Sequence, residues 1–374
     1  MSGSTTRVAP GAAAARAPQL HVGSVPALEA VSGPTDAILE RFLAARVGEL
    51  TELDPALKVV GTEIASFVAA SGKRLRPAFV YWGHRATGAA HDDGVLVPAA
   101  AVELLHTFAL IHDDIMDRSP ERRGRPAVHE ALRAAHADDG LRGDGSWFGV
   151  GGAILAGDLA FVWADQLIDG AELPPAALDR ARRVFTALRV EVMAGQYLDL
   201  RLAGLCSATE EESRRVALLK SGRYTVTRPL QLGAAIAGED RELNRVLGGY
   251  GDAVGLAFQL RDDVLGLFGD PTATGKGAME DLREGKRTLL ILQAFARCGA
   301  ADRTALEHTL GNPGLDLAAA DRARSVVVEC GALDAIERIV AEQHERACLT
   351  LDRVGQPARE ALEQLAGFAA FRSV

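Results

Sequence analysis

From about Thr35 to the C-terminus, apolar residues recur three and four positions apart, and strict two-residue alternation is rare. That is the periodicity of helices that each bury one face. The pattern predicts helices over 36–53, 55–71, 74–88, 95–118, 126–137, 150–170, 174–204, 209–234 and 241–268, with several more from 284 onward. Gly, Asp and His break it at 88–94 and 137–150, and Gly, Pro and Asp break it at 269–285, so these stretches read as loops. No fixed-period repeat occurs and no linker divides 35–374, so the expectation is one all-α domain.

Residues 1–34 show no sustained amphipathic period and are rich in Pro, Ser and small residues, the composition of a disordered extension. Arg7 and Arg16, with no acid before Glu29, loosely match an organelle transit peptide, but no amphipathic stretch supports that role. The apolar islands Leu20-His21-Val22 and Val25-Pro26-Ala27-Leu28 leave a docking role open, for example onto a bacterial encapsulin shell.

Composition narrows the function. The chain has 374 residues, 48% of them hydrophobic, enough for a large core, and its formal charge of -9 disfavours nucleic acid as a partner. Cys206, Cys298, Cys330 and Cys348 are widely spaced and form no CxxC pair, which points to neither zinc nor disulfides and suits a reducing, cytoplasmic setting. Charged residues interrupt each apolar run before the roughly 20 residues of a membrane span, so no span is expected.

The chemistry is concentrated at two helix ends. The first follows Phe108-Ala109-Leu110-Ile111-His112, where an apolar helix abruptly presents Asp113, Asp114 and Asp117, then Arg122 and Arg123. Asp113 and Asp117 share one helical face, and their repulsion weakens the helix unless a cation intervenes. Magnesium, held by one or two carboxylates with water and substrate phosphates, is that cation. Alone, such a motif would be a solvated helix end; its apolar lead-in, with His106 two turns earlier, favours a pocket.

The second end is Phe258-Gln259-Leu260-Arg261-Asp262-Asp263, followed by Gly269 to Lys276 and by Glu284-Gly285-Lys286-Arg287. Two such ends facing across a cavity can hold a metal-bound diphosphate. Between them lie Gln196 and Asp199 on one predicted helix, and Lys220, Ser221 and Tyr224 on another. Taken singly, these read equally well as surface residues. Lys73 and Arg76, in the first turns of a helix after Ser71-Gly72, could grip a second diphosphate or simply form a basic surface.

Seven segments, GKRLRP, HTFALIHDDIMD with its trailing RRG, GQYLD, KSGRY, FQLRDD, GDPTATGK and EGKRT, occur in the order and separations of the trans-isoprenyl diphosphate synthase family, which 35–374 resembles. The resemblance implies a single-domain bundle of roughly ten or more helices around a central cavity. It implies head-to-tail condensation of isopentenyl diphosphate with an allylic diphosphate, three magnesium ions per site and a homodimer. Lys73, Arg76, His106 and Arg123 would bind isopentenyl diphosphate. Arg122, Lys220, Ser221, Gln259, Lys276 and Lys286 would hold the allylic diphosphate, with Arg122, Lys220 and Lys276 acting in catalysis. Asp113, Asp117 and Asp262 would ligate metal, with Asp199 and Asp263 beside them.

One departure matters: Gly266 stands where the commonest family form has a third acid, which puts the third metal site in doubt. For product length, Phe108 and Ala109, one turn before Asp113, would form the cavity floor. An aromatic followed by a small residue looks most like a geranylgeranyl (C20) synthase, with farnesyl (C15) next, and Phe108 as plain core packing is the alternative. A class I terpene cyclase would need no second diphosphate site, and a non-catalytic subunit or scaffold would not need two populated acidic motifs.

Overall fold

The computed structural model describes residues 25–70, 72–205, 207–238, 240–269 and 279–373. Almost all of them are helical. The order is α1 (Pro26–Leu53), α2 (Lys58–Ala69), α3 (Leu75–Arg85), α4 (Leu96–Met116), α5 (Val128–Asp138), α6 (Gly145–Asp169), α7 (Pro175–Ala203) and α8 (Glu210–Val216). A π-helical segment, Ala217–Thr227, leads into α9 (Arg228–Ala237) and α10 (Arg241–Phe268). After a single turn, Glu280–Arg283, come α11 (Leu289–Arg297), α12 (Ala300–Thr309), α13 (Leu317–Glu329), α14 (Ala332–Thr350) and α15 (Ala358–Phe371).

Several starts are written in the sequence. Asp144, Asp240, Thr288 and Asp316 accept backbone N–H groups at the first turns of α6, α10, α11 and α13, and Thr209 with Glu212 forms a reciprocal capping box on α8. The core forms two clusters. One gathers α1 to α7 with α9 and most of α15; the other gathers α11 to α13 with most of α14, and α10 contributes to both, through Val254 and Leu260 respectively. The second acidic motif therefore lies on a helix shared by both clusters.

Three expectations change. The first helix begins at Pro26 rather than after residue 34: Ala27, Leu28 and Val31 are buried, and the helix continues through an exposed Pro34 because packing outweighs local breaking. The predicted helix 209–234 contains the π-helical segment. By length and composition alone, α4 and α6 are apolar enough to cross a membrane, a property that core helices of soluble proteins share. For α4 the cause is its place in the core; α6 leaves Trp147, Leu155 and Val162 exposed. A two-stranded hairpin, Glu121–Arg122 with Arg125–Pro126, follows the first motif and was not predicted.

Candidate active site

Helix α4 runs through the core and ends at the first motif, with Asp117 as its C-cap. The two adjacent acids point to different partners. Asp114 is fully buried and accepts from Arg122 Nε at 2.8 Å and again from the other end of that guanidinium, which binds the hairpin back onto the helix. Asp113 faces inward, accepting from Gln196 Nε2 at 2.9 Å and from Lys220 Nζ at 3.2 Å. Lys220 also donates to Asp199 at 2.6 Å. Burial alone would lower the Lys220 pKa, but Asp113 and Asp199 hold it above its ordinary value, so it is an ammonium.

Gly195 permits this convergence. A Cβ there would stand 2.3 Å from the Lys220 backbone nitrogen, so only glycine lets α7 press onto the π-helical segment and bring Gln196 and Asp199 to Lys220.

On α10, Gln259 Nε2 donates to Asp263 at 2.7 Å, while burial pushes the Asp263 carboxyl up to about 8. Asp262 pairs with Arg372, near the C-terminus, whose guanidinium lies 4.0 Å from the centre of the Phe258 ring. Lys286 ties the first motif to the turn that carries Asp281. Its ammonium lies 3.4 Å from Asp117, 3.1 Å from Asp281 and against Glu284, and although burial lowers its pKa, Asp281 and Asp117 raise it well above the ordinary value.

The basic side is built around Arg74, which takes a left-handed backbone conformation (φ 50°) and is buried. Its guanidinium ties three elements together, donating to Asp36 at 2.6 Å, Glu103 at 3.0 Å and the Val68 carbonyl at 2.9 Å. The residues flanking it face the cavity. Lys73 lies over the Phe368 ring and its pKa is lowered by burial and then by Arg372. Arg76 stacks on Tyr224, donates to Thr225 at 2.9 Å and has its buried Nε without a hydrogen-bond partner. His106 Nδ1 meets the Tyr224 hydroxyl at 3.0 Å, and burial, then Arg76 and Arg123, hold its pKa well below the usual value, so it is neutral at pH 7.

These groups surround one cavity of about 780 Å³, within the roughly 300–1,000 Å³ of small-molecule sites. Of the predicted site residues, Lys73, Arg76, His106, Ala109, Asp113, Arg122, Arg123, Asp199, Lys220, Ser221, Gln259, Asp262, Asp263 and Lys286 line it. Asp117 stands just behind, on Lys286. Phe108 is not in the wall; it meets Phe161 and His112 edge-on, at centroid distances of 5.0 and 4.9 Å. Lys276 lies outside the described residues. Arg122 lines the cavity but already has Asp114 as a partner. Sequence reading missed Asp281, Phe258, Phe368 and Arg372 and gave Tyr224 no role. A cation ending the apolar run Ala366 to Phe371, and an acid five residues before Lys286, were the available signals.

Among the described residues no three His, Cys, Asp or Glu side chains form a ready-made metal cage. The donors are carboxylates in two groups, here neutralised by Lys220, Lys286 and Arg372. That set fits magnesium, which takes one or two carboxylates and completes its shell with water and phosphate oxygens.

Comparison with known proteins gives the same picture. Residues 58–327 match the polyprenyl synthetase family. The chain is 34% identical over 302 residues to geranylfarnesyl diphosphate synthase of Aeropyrum pernix, covering 80% of this chain and 88% of that protein. It is 33% identical over 302 residues to geranylgeranyl diphosphate synthase of Methanosarcina mazei, covering 80% and 86%. The crystal structure of geranylgeranyl pyrophosphate synthase from Corynebacterium glutamicum, complexed with isoprenyl diphosphate and magnesium, superposes with a TM-score of 0.87 at 35% identity, covering 93% of this chain and 99% of that one.

Proposed function

The chain belongs to the polyprenyl synthetase family and is a trans-prenyltransferase that elongates prenyl diphosphates; from that premise we propose that it makes geranylgeranyl diphosphate, C20, in a magnesium-dependent reaction, with farnesyl diphosphate, C15, as the next candidate. One observation carries the chemistry. Carboxylates of both acidic motifs face a single cavity whose opposite wall is basic, and Lys220 and Lys286 already hold the acids of the first motif.

In this reading Lys220, Lys286, Lys276, Ser221 and Gln259 hold the allylic diphosphate, beside Asp113, Asp117 and Asp262 as metal ligands, with Asp199 and Asp263 next to them. When bound, three magnesium ions supply the charge that draws the diphosphate away from the allylic carbon. Lys220 and Lys286 add fixed positive charge where the leaving oxygen turns negative. Arg122, which lines the cavity and is paired with Asp114, also holds the allylic diphosphate in this reading. Lys73, Arg76, Arg123 and neutral His106 receive the isopentenyl diphosphate, for which Arg76 Nε offers a spare donor. The apolar wall, including Ala109, Leu110, Val192 and Phe258, keeps water from the allylic carbocation. The isopentenyl double bond attacks that cation, and the proton lost passes to the released diphosphate.

Ala109 in the wall, with Phe108 packed behind it on Phe161, supports a floor one turn before Asp113. The test is product analysis against a single-substrate control. A prenyl diphosphate supplied alone should give no hydrocarbon; release of one would make the protein a cyclase.

A homodimer is supported by apolar stripes on adjacent helices: Trp147, Leu155 and Val162 on α6 are 71%, 63% and 51% exposed, and Val190 and Tyr197 on α7 are 62% and 68% exposed. Stripes of this kind mark interfaces. A reducing cytoplasmic setting is supported by Cys298, Cys330 and Cys348, none of which is in a disulfide. The N-terminal extension, whose residues 1–24 lie outside the described residues, is proposed to dock the enzyme onto a larger assembly such as an encapsulin shell. Co-purification with the same partners after its deletion would end that proposal.

A further inference from the structure

Gly266 follows Asp262 by four residues, so the two share one face of α10, and an acid at 266 would stack over Asp262. The space beside Gly266 is filled. A Cβ built on it would lie 2.2 Å from Asp281 Oδ2 and 3.3 Å from Asp281 Cγ. The nearest group to the point where a side chain at 266 would start is therefore a carboxylate from another segment. Both residues line the cavity with Asp262 and Asp263.

The turn that delivers Asp281 is rigid. Lys286 N–H donates to the Asp281 carbonyl at 3.0 Å and Gly285 N–H to the Leu282 carbonyl at 3.1 Å. Gly285 has φ 72°, which makes this a helix C-terminal motif closed by a left-handed glycine. Leu282 is 2% exposed in the second core cluster, and its carbonyl also accepts from Gly311 N–H at 2.8 Å. The side chain is fixed as well, because Lys286 Nζ holds Asp281 Oδ1 at 3.1 Å while also reaching Asp117 of the first motif. Oδ2 is directed at Gly266, one helical turn along α10 from Asp262.

We propose that Asp281 supplies the third carboxylate of the second acidic motif, and that Gly266 is the opening through which it reaches Asp262. The motif is complete in space although not in sequence, and its third acid is borne by the turn that also carries Lys286. Asp281 is a positioning residue for the metal and diphosphate at Asp262 and is coupled through Lys286 to Asp117. The inference rests on the reading of Asp262 as a metal ligand.

Reciprocal substitution tests it, read by Mn²⁺ binding in the presence of inorganic diphosphate with electron paramagnetic resonance, alongside circular dichroism. Wild-type protein should take up Mn²⁺ only with diphosphate present. Asp281→Ala should weaken that uptake about tenfold or more, the range for groups that support metal ligands. Gly266→Asp placed in the Asp281→Ala background should restore most of it, since the carboxylate then comes from α10 itself. Gly266→Asp alone must expel Asp281 and should lower the melting temperature. If Asp281→Ala does not fold, Asp281→Asn, which keeps an acceptor for Lys286 but loses the charge, should show the same loss. Wild-type affinity in a folded Asp281 variant overturns the proposal, and so does a loss that Gly266→Asp fails to repair, which would leave Asp281 as a mere prop for Lys286. Failure of the wild type itself to bind Mn²⁺ with diphosphate would instead sink the reading of Asp262.

Discussion

Lys220→Met separates the structural and chemical roles of the central cation. Lys220 Nζ lies 2.6 Å from Asp199 and 3.2 Å from Asp113, and these side chains are only 21% and 15% exposed. At an effective dielectric constant of about 20, those contacts are worth about 6 and 5 kcal/mol before desolvation. Desolvation cancels most of that, and removing one partner of a buried pair costs about 3–5 kcal/mol; partial exposure here brings the expected loss to about 2–3 kcal/mol. With an unfolding entropy of roughly 2.1 cal/mol/K per residue over a chain of this length, the melting temperature in EDTA should fall by about 3 °C. Magnesium should restore more stability to the variant than to the wild type, because Asp113 and Asp199 no longer have an ammonium to displace. Turnover should still fall about 10²–10³-fold, the cost of losing one group aimed at developing negative charge. Scanning calorimetry with and without magnesium, paired with initial rates, reads all three. Equal melting in EDTA, or equal magnesium stabilisation, would refute the account of Lys220 as the cation that neutralises Asp113 and Asp199.

Other outcomes follow from the same geometry. Asp263, raised to about 8 by burial against about 3.9 in the unfolded chain, stays protonated on folding while the unfolded carboxyl ionises; metal-free stability should therefore decline as pH rises from about 4 to 8, by at most about 1.4 kcal/mol per unit. Denaturant titrations at pH 5 and 8 should show that slope in the wild type and a flatter one in Asp263→Asn. Arg372→Gln uncovers Asp262, a partly exposed carboxylate, so Mn²⁺ titration in the presence of inorganic diphosphate should tighten by up to about fivefold, the ~1 kcal/mol upper end for such a pair. Each added five-carbon unit gains about 4 kcal/mol of burial, so only a steric floor ends growth. Ala109→Phe should thus shorten the products read by mass spectrometry, and Phe108→Ala should lengthen them; unchanged lengths would return Phe108 to core packing.

Helices and cavity were legible because each depends on local signals: apolar periodicity and acids ending apolar runs. What the sequence concealed was direction. Asp113 and Asp114 are neighbours, yet one faces the cavity and the other is buried against Arg122, a choice made by a hairpin that carries no strong signal of its own. The Asp262 to Arg372 pair spans 110 positions and exists only once α10 and the C-terminal helix have packed. Residues 26–34 read as part of the extension by composition, but Ala27, Leu28 and Val31 are buried in the core. Gly266 looked like a missing acid because periodicity along α10 says nothing about a side chain arriving from Asp281.

The most direct test supplies purified protein with magnesium, isopentenyl diphosphate and, separately, C5, C10 and C15 allylic diphosphates, and reads product mass. The account predicts longer prenyl diphosphates from each primer, ending at C20, and no turnover by Asp113→Ala with its helical spectrum intact. Absence of condensation with every primer, or an Asp113→Ala variant that still condenses them, would contradict it.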